Sequence, residues 1–306
     1  MRHVMRHVGG SSEAPSRDER RESTVRYGFA ASYGSVDQVV RMAEEAEAHG
    51  WDGFFTWDGI SLGAMDTWDP WVLLGVAATR TSTVRLGAMI FPLSRRRPWK
   101  VAREALTVDH LSGGRLVLPV GLGVTDDGGF GKVSGEATTA RGRAERLDES
   151  LAILERAATG EPFSFEGTHY RVDGLQIAPP PVSRPRIPVW PVAGWPSPRS
   201  MARAARWDGA VLQRTGIEED LSVDDVAAAT RWLHERRGAL AAEGHAVPAE
   251  LDIVTQGVLP DGAGQARDHV RRLEDAGATW WVESRWDPTT ATPESLLAAI
   301  RQGPPR

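Results

Sequence analysis

The segment Val84–Val124, VRLGAMIFPLSRRRPWKVAREALTVDHLSGGRLVLPVGLGV, admits few folds. Val84 to Phe91 is short, mostly apolar and stopped by Pro92, the pattern of a strand buried on both faces. Pro98 opens the next element at the first helical position, and Val101, Ala102, Ala105, Leu106, Val108 and Leu111 follow at helical spacing. Gly113 and Gly114 close that helix, because glycine takes the left-handed conformation a helix end needs. Leu116 to Val120 resumes a strand and runs into Gly121-Leu122-Gly123. One strand–helix–strand crossover in about 40 residues is the repeating unit of a parallel α/β fold.

The same alternation continues on both sides. Strand patterns fall at 25–30, 51–58, 209–213, 251–255 and 279–283, and at 187–194 despite its prolines. Helical patterns start after Ser35, at Pro70, at Ala140, after Ser197 and Ser222, near Gly264 and at Pro293. Eight strands alternating with eight helices predict an α/β chain closed into a (β/α)8 TIM-like barrel over residues 25–306. The competing open, doubly wound sheet lacks support, since the first strand–helix turn has no G-x-G-x-x-G phosphate loop. Residues 160–186 break the alternation, and prolines 179 to 181 preclude a helix there. That stretch reads as an insertion between strands 4 and 5, lying across the barrel. Residues 1–24 are polar, carry the tetrapeptide MRHV twice and read as a disordered tail. The Gly-, Asp- and Thr-rich stretch 125–139 reads as a mobile loop near a site.

Composition narrows the function classes. A net charge of −5 and a pI near 5.9 argue against a nucleic-acid binder relying on counterion release. Lys100 and Lys132 are the only lysines, so nearly all 36 basic residues are arginine, which reads as coding bias. No cysteine is present, which removes disulfides, thiolate metal sites and cysteine nucleophiles. No run reaches the ~18 apolar residues of a membrane span, and the expectation is a cytoplasmic protein with no membrane partner. No His-x-x-x-His and no G-x-S-x-G occurs, so metal and serine hydrolases have no support and no metal site is expected.

In a barrel of this kind, function gathers at the carboxyl ends of the strands. Asp58 ends the second strand and could accept a hydrogen bond from a ring N–H, or simply open the Asp58-Gly59 turn. Glu283 at the last strand could act as a base, or pair with Arg285. Arg95, Arg96 and Arg97 follow the third strand and could neutralise a phosphate or carboxylate tail, or form a solvated charge run. Ala193-Gly194-Trp195 leads into a helix whose N-terminus would favour phosphate, or form an ordinary capped turn. His49 and His110 lie at helix ends, where capping explains them better than catalysis.

The run Asp109-His110-Leu111-Ser112-Gly113-Gly114-Arg115 with Gly121-Leu122-Gly123 resembles the D-x-L-S-G-G-R…G-x-G signature of bacterial luciferase-like monooxygenases. The resemblance extends through Arg85-Leu86-Gly87, Arg143–Glu149, Phe165–Tyr170, Pro185–Trp190 and Ala202–Gly209, in order, over roughly residues 25–285. It implies a TIM-like barrel that binds FMN or the deazaflavin coenzyme F420 at its carboxyl face. It further implies a bulge with a non-prolyl cis peptide at Met89 and Ile90 backing the cofactor ring, with Phe91, Leu122 and Gly123 beside it. The cofactor phosphate would lie at Ala193, Gly194 and Trp195, an anionic tail near Arg95 and Arg97, and Asp58 would touch the ring. Asp58 and Glu283 are the candidate catalytic residues. Two departures matter: Gly59 and Val124 stand where F420-dependent sugar-phosphate dehydrogenases of this family carry a catalytic His and a Glu.

The expected activity is a flavin-dependent monooxygenase acting on a small organic substrate with reduced FMN and O2, with a flavin reductase as partner. An F420-dependent hydride-transfer enzyme and a non-catalytic flavin-binding barrel are the alternatives, and the resemblance implies a homodimer.

Overall fold

The structure, a computed structural model, describes residues 24–216 and 220–306. The expectation of a disordered tail therefore lies almost wholly outside the described residues. Thr24 marks the boundary, and its backbone N–H and hydroxyl both donate to Glu274 Oε1.

The elements follow in the order β1 (Arg26–Ala30), α1 (Val36–Ala48), β2 (Gly53–Thr56), α2 (Pro70–Arg80), β3 (Arg85–Ala88), β4 (Phe91–Pro92) and α3 (Pro98–Ser112). Next come β5 (Leu118–Gly121), α4 (Gly128–Gly131), α5 (Ala140–Ala157), β6 (Phe163–Glu166), β7 (Arg171–Leu175) and β8 (Val189–Trp195). The chain ends with α6 (Pro198–Ala204), β9 (Gly209–Arg214), α7 (Val223–Ala242), β10 (Asp252–Gly257), α8 (Ala263–Asp275), β11 (Trp280–Ser284) and α9 (Pro293–Gln302).

Nine strands form one sheet, ordered β3-β2-β1-β11-β10-β9-β8-β5-β4, and all its pairings are parallel. The two ends of that order, β3 and β4, are halves of one stave interrupted at Met89-Ile90. A bridge between Leu86 and Leu116 joins β3 to the segment leading into β5, so the ring closes. The expected eight-stave barrel is what forms.

Local chemistry explains the element ends. The Ser35 hydroxyl accepts from the Gln38 N–H while the Ser35 N–H donates to Gln38 Oε1, a complete capping box ahead of α1. Asp69 caps α2, and Gly113 ends α3 at φ 66°. The residues that carry the family resemblance turn out to be structural. Asp109 is fully buried and accepts from the Val182 and Ser183 N–H groups and the Ser183 hydroxyl. Arg115 donates to the carbonyls of Ala78, Thr81, Val84 and Ser112, tying the entry of β5 to the end of α2.

The segment 160–186 corrects one expectation. β6 and β7 pair antiparallel as a hairpin, but it does not lie across the barrel. Phe163, Tyr170, Val172, Leu175 and Ile177 pack instead on Trp99, Ala102 and Leu106 of α3 and on Ile153 and Ala157 of α5. The hairpin's apolar positions have to cover something, and the exposed flank of those two helices supplies it.

The barrel axis is plugged. Strand residues alternate between axis and helix layer, so every second residue of each stave points inward. Phe55, Trp190 and Trp280 meet there with ring centroids 5.3 to 6.3 Å apart. Glycines make the room: a Cβ at Gly28 would stand 2.6 Å from the Phe55 ring, and one at Gly209 2.4 Å from Trp190. Below them Arg26 lies 4.8 Å from the Trp280 ring centre and pairs with Asp252.

Candidate active site

Inward-pointing parity identifies what faces the mouth at the carboxyl ends of the staves. Val211, Val254 and Val282 belong to the axial core, so Gln213, Gln256 and Ser284, two residues on, face the mouth. By the same count Trp57 follows Phe55, and Gly194 follows Val192. Neither the Gln213 nor the Gln256 side-chain amide makes a hydrogen bond among the described residues. Trp57 is held by its indole N–H, which donates to the Ser32 carbonyl at 2.7 Å, and its ring meets Trp286 edge-on at 6.2 Å.

The break in the third stave shapes the opposite wall. The Met89–Ile90 peptide is cis, at the two positions the resemblance indicated. Met89 joins the axial core. The Ile90 side chain reaches Gly121, where a Cβ would stand 2.4 Å from Ile90 Cδ1 and 3.0 Å from Val192 Cγ2. Ile90, Gly121 and Val192 therefore form one apolar wall whose flatness depends on Gly121 lacking a side chain.

Asp58 is engaged elsewhere. Its carboxylate, 1% exposed, accepts from Arg95 Nη2 at 2.9 Å and from Arg96 Nε and Nη2 at 2.7 and 2.8 Å. Arg95, 2% exposed, also pairs with Asp127, and Arg96 extends towards Asp69 at 3.7 Å. Burial works against the Arg96 charge and Asp58 more than offsets it, raising its pKa. Burial also opposes ionisation of Asp127. Hydrogen bonds from the Gly129, Ser61 and Ile60 N–H groups, with the Arg95 charge, nevertheless hold its carboxyl below the usual range. This cluster ties together the loops after β2, β4 and β5. Of the run Arg95–Arg97, only Arg97 is exposed, with its guanidinium 5.9 Å from the Trp99 ring centre.

Other expected site residues face away from the mouth. Glu283 alternates with Val282 and Ser284 and so points into the helix layer. Its buried carboxylate accepts from the Leu259 N–H at 2.9 Å and pairs with Arg285 at 2.8 Å, the second of its two sequence readings. Phe91 is fully buried and stacks on Trp71 at 4.3 Å, under α2. Ala193 is in the outer core and Leu122 packs against it. The Trp195 side chain bonds Asp225 at the start of α7. Gly123, at φ 75°, is enclosed: a Cβ there would lie 2.7 Å from Pro92 and 2.8 Å from Phe130. Gly194 is on the inner face, but its N–H already donates to the Ser200 hydroxyl at 2.9 Å. The structure thus brings Met89, Ile90 and Gly194 to the mouth, and Gly121, Val192, Gln213 and Gln256 join them. Gln213 and Gln256 stand at strand ends that the sequence already marks, whereas Gly121 and Val192 follow only once it is known which residue of each strand faces inward.

Beside the mouth a cavity of about 540 Å³ crosses the ends of β9, β10 and β11. Gln213, Gln256 and Ser284 line it from the barrel side, and Thr255, Trp281 and His269 from the helix side. A volume of this size suits a small organic ligand. Among the described residues no cluster of three or more His, Asp or Glu could hold a metal ion, and no helix is long and apolar enough to cross a membrane.

A closed parallel barrel with an apolar wall and amide groups at its carboxyl mouth is the frame of a (β/α)8 enzyme. A family model described as luciferase-like monooxygenase matches residues 18–259, and the chain belongs to that family. The chain is 30% identical to an F420-dependent glucose-6-phosphate dehydrogenase of Nakamurella multipartita over 70% of its own length and 63% of that protein. It is also 30% identical to a 4-hydroxyprotoasukamycin monooxygenase of Streptomyces nodosus subsp. asukaensis, over 65% of this chain and 53% of that one. The matches thus span less than two thirds of these relatives' length. A type II Baeyer-Villiger monooxygenase of Pseudomonas putida, solved in complex with FMN, shares the fold with a TM-score of 0.69 and 15% identity, covering 92% of this chain and 98% of that one. The relatives and structural neighbours thus include an F420-dependent dehydrogenase and a monooxygenase solved with FMN.

Proposed function

We propose that this protein holds FMN or coenzyme F420 at the carboxyl mouth of the barrel and acts there on a small organic substrate, with oxygenation using reduced FMN and O2 as the leading reading. The observation that carries the proposal is the wall made where the third stave breaks, Met89 and Ile90 against Gly121 and Val192. A Cβ at Gly121 would disturb that wall, so the residues present fit a flat apolar ring system. Reduced FMN would supply oxygen activation and F420 would supply hydride transfer.

The chain's own residues would position and shield. Ile90 and Val192 exclude water from one side. Gln213, Gln256 and Ser284 supply neutral hydrogen-bonding groups, which supports turnover over a binding-only barrel. Gly194 lets Thr215 and Ser200 close in on the end of β8, where a Cβ would stand 2.8 Å from Thr215 Oγ1, and Arg97 is the member of its run still open to an anionic tail.

None of the inward-facing strand positions at the mouth is a carboxylate or histidine. Asp58 is locked by two arginines and Glu283 faces the helices. Taking hydride from an alcohol calls for a base to accept the hydroxyl proton, so these strand positions favour the FMN reading, and His269 in the adjoining cavity is the group the hydride-transfer reading would need. The Nakamurella relative favours F420, and that reading stands second. The FMN reading brings with it a flavin reductase as partner, and we place the enzyme in the cytoplasm as a homodimer. Fluorescence titration with each cofactor tests the proposal. Binding of one below about 100 μM is expected, and failure of both at that weak affinity overturns it.

A further inference from the structure

We infer that the cavity over β9, β10 and β11 is the substrate chamber and that it selects an uncharged, hydroxyl-bearing organic compound, with His269 as the hydrogen-bond partner of the hydroxyl. The inference rests on the mouth being an enzyme site, but not on which cofactor serves it.

Three observations converge. The cavity is continuous from the mouth, where Gln256 faces the axis, to the helix side, where His269 of α8 stands edge-on to Trp281 at 5.1 Å. His269 makes no hydrogen bond among the described residues, although the half-buried ring has two nitrogens to satisfy. Burial and the nearby Arg272 hold its pKa below the ordinary range against the pull of Asp220, so at neutral pH the ring offers one donor and one acceptor and no charge. A hydroxyl group, itself donor and acceptor, is the natural complement.

The charges exclude the alternative. Among the described residues the lining has one guanidinium, Arg214, and it pairs with Asp225 at 3.4 Å. Nearby Arg285 is taken by Glu283, and Arg95 and Arg96 by Asp58. Among the described lining residues Asp220 is the one carboxylate, and it has no ion-pair partner there. A phosphate or carboxylate entering the chamber would lose its hydration, meet no unpaired cation in the described lining, since Arg272 near His269 is not part of it, and face Asp220. A sugar phosphate therefore does not suit this chamber, even though one relative is a glucose-6-phosphate dehydrogenase.

The test is equilibrium dialysis of the full chain with 1-naphthol and with 1-naphthyl phosphate. Naphthol is expected to bind at least tenfold more tightly than its phosphate ester. His269→Ala should weaken naphthol about fivefold, the scale of one hydrogen bond, and leave the ester unchanged. Gln256→Met, which keeps the side-chain length, should weaken naphthol independently. Equal or tighter binding of the ester, or naphthol affinity unmoved by both substitutions, overturns the inference. The same preparations are titrated with FMN and F420. Naphthol binding without cofactor binding would sink the redox reading and leave the chamber standing, and the reverse would sink the chamber alone.

Discussion

Replacing Asp58 separates a structural carboxylate from a catalytic one. Asp58→Asn keeps the shape and removes the charge that faces both Arg95 and Arg96. Breaking a buried ion pair from one side costs about 3–5 kcal/mol, because the partner's charge remains buried. Here the loss falls at the lower end. Arg95 keeps Asp127, and Arg96 is 18% exposed and keeps Asp69 at 3.7 Å. A loss of about 3 kcal/mol with a urea slope of about 3 kcal/mol/M moves the denaturation midpoint by roughly 1 M. The double variant Asp58→Asn/Arg96→Met removes one orphaned cation as well. It should be more stable than the sum of the single effects by about 1–3 kcal/mol. Urea denaturation followed by tryptophan fluorescence measures both. A midpoint unchanged to within about 0.3 M, combined with complete loss of turnover, would refute the structural assignment and return Asp58 to the chemistry.

Phe91→Ala should cost about 3–5 kcal/mol of stability through its lost stacking on Trp71, with cofactor affinity within about twofold of the parent; urea melts and titration check this. Gly123→Ala should destabilise by about 1–3 kcal/mol, because its φ is positive and its Cβ meets Pro92 and Phe130; a cofactor-site role alone would leave the melt untouched. The Asp127 carboxyl is held below its unfolded value of about 3.9, so its contribution is present above that pH and disappears as the pH falls through the lower, folded value. The midpoint should therefore hold steady near neutrality and fall below about pH 4, and Asp127→Asn should flatten that fall.

The barrel was legible because its signals are local. Proline at helix starts, Ser35 and Ser222 as N-caps and Gly113 at a helix end each act within a few residues. At the mouth, the reading of strand ends reached Gly194, Gln213 and Gln256, and the family resemblance supplied the cis peptide at Met89 and Ile90. Partner choice was not legible: Arg95 and Asp127 are 32 positions apart, and no local rule brings them together. Nor was facing, since Trp280 and Trp281 are adjacent, both aromatic and both buried, yet one fills the axis and the other the helix layer. A one-residue ambiguity of that kind is what put Glu283 in the mouth instead of behind it.

The Asp58–Arg95–Asp127 cluster has a consequence for how this scaffold can change. It fastens the rim on the β2, β4 and β5 side by charges that cannot be altered singly without the cost worked out above. The β9, β10 and β11 side is held more lightly, by Glu283 with the Leu259 N–H and a partly exposed Arg285, and Gln213, Val258 and Trp286 there are open to solvent. Laboratory evolution towards new substrates should therefore collect its accepted substitutions on that second side, leaving the first as an inherited chassis. The division of the rim sets where novelty can enter before any particular chemistry is chosen.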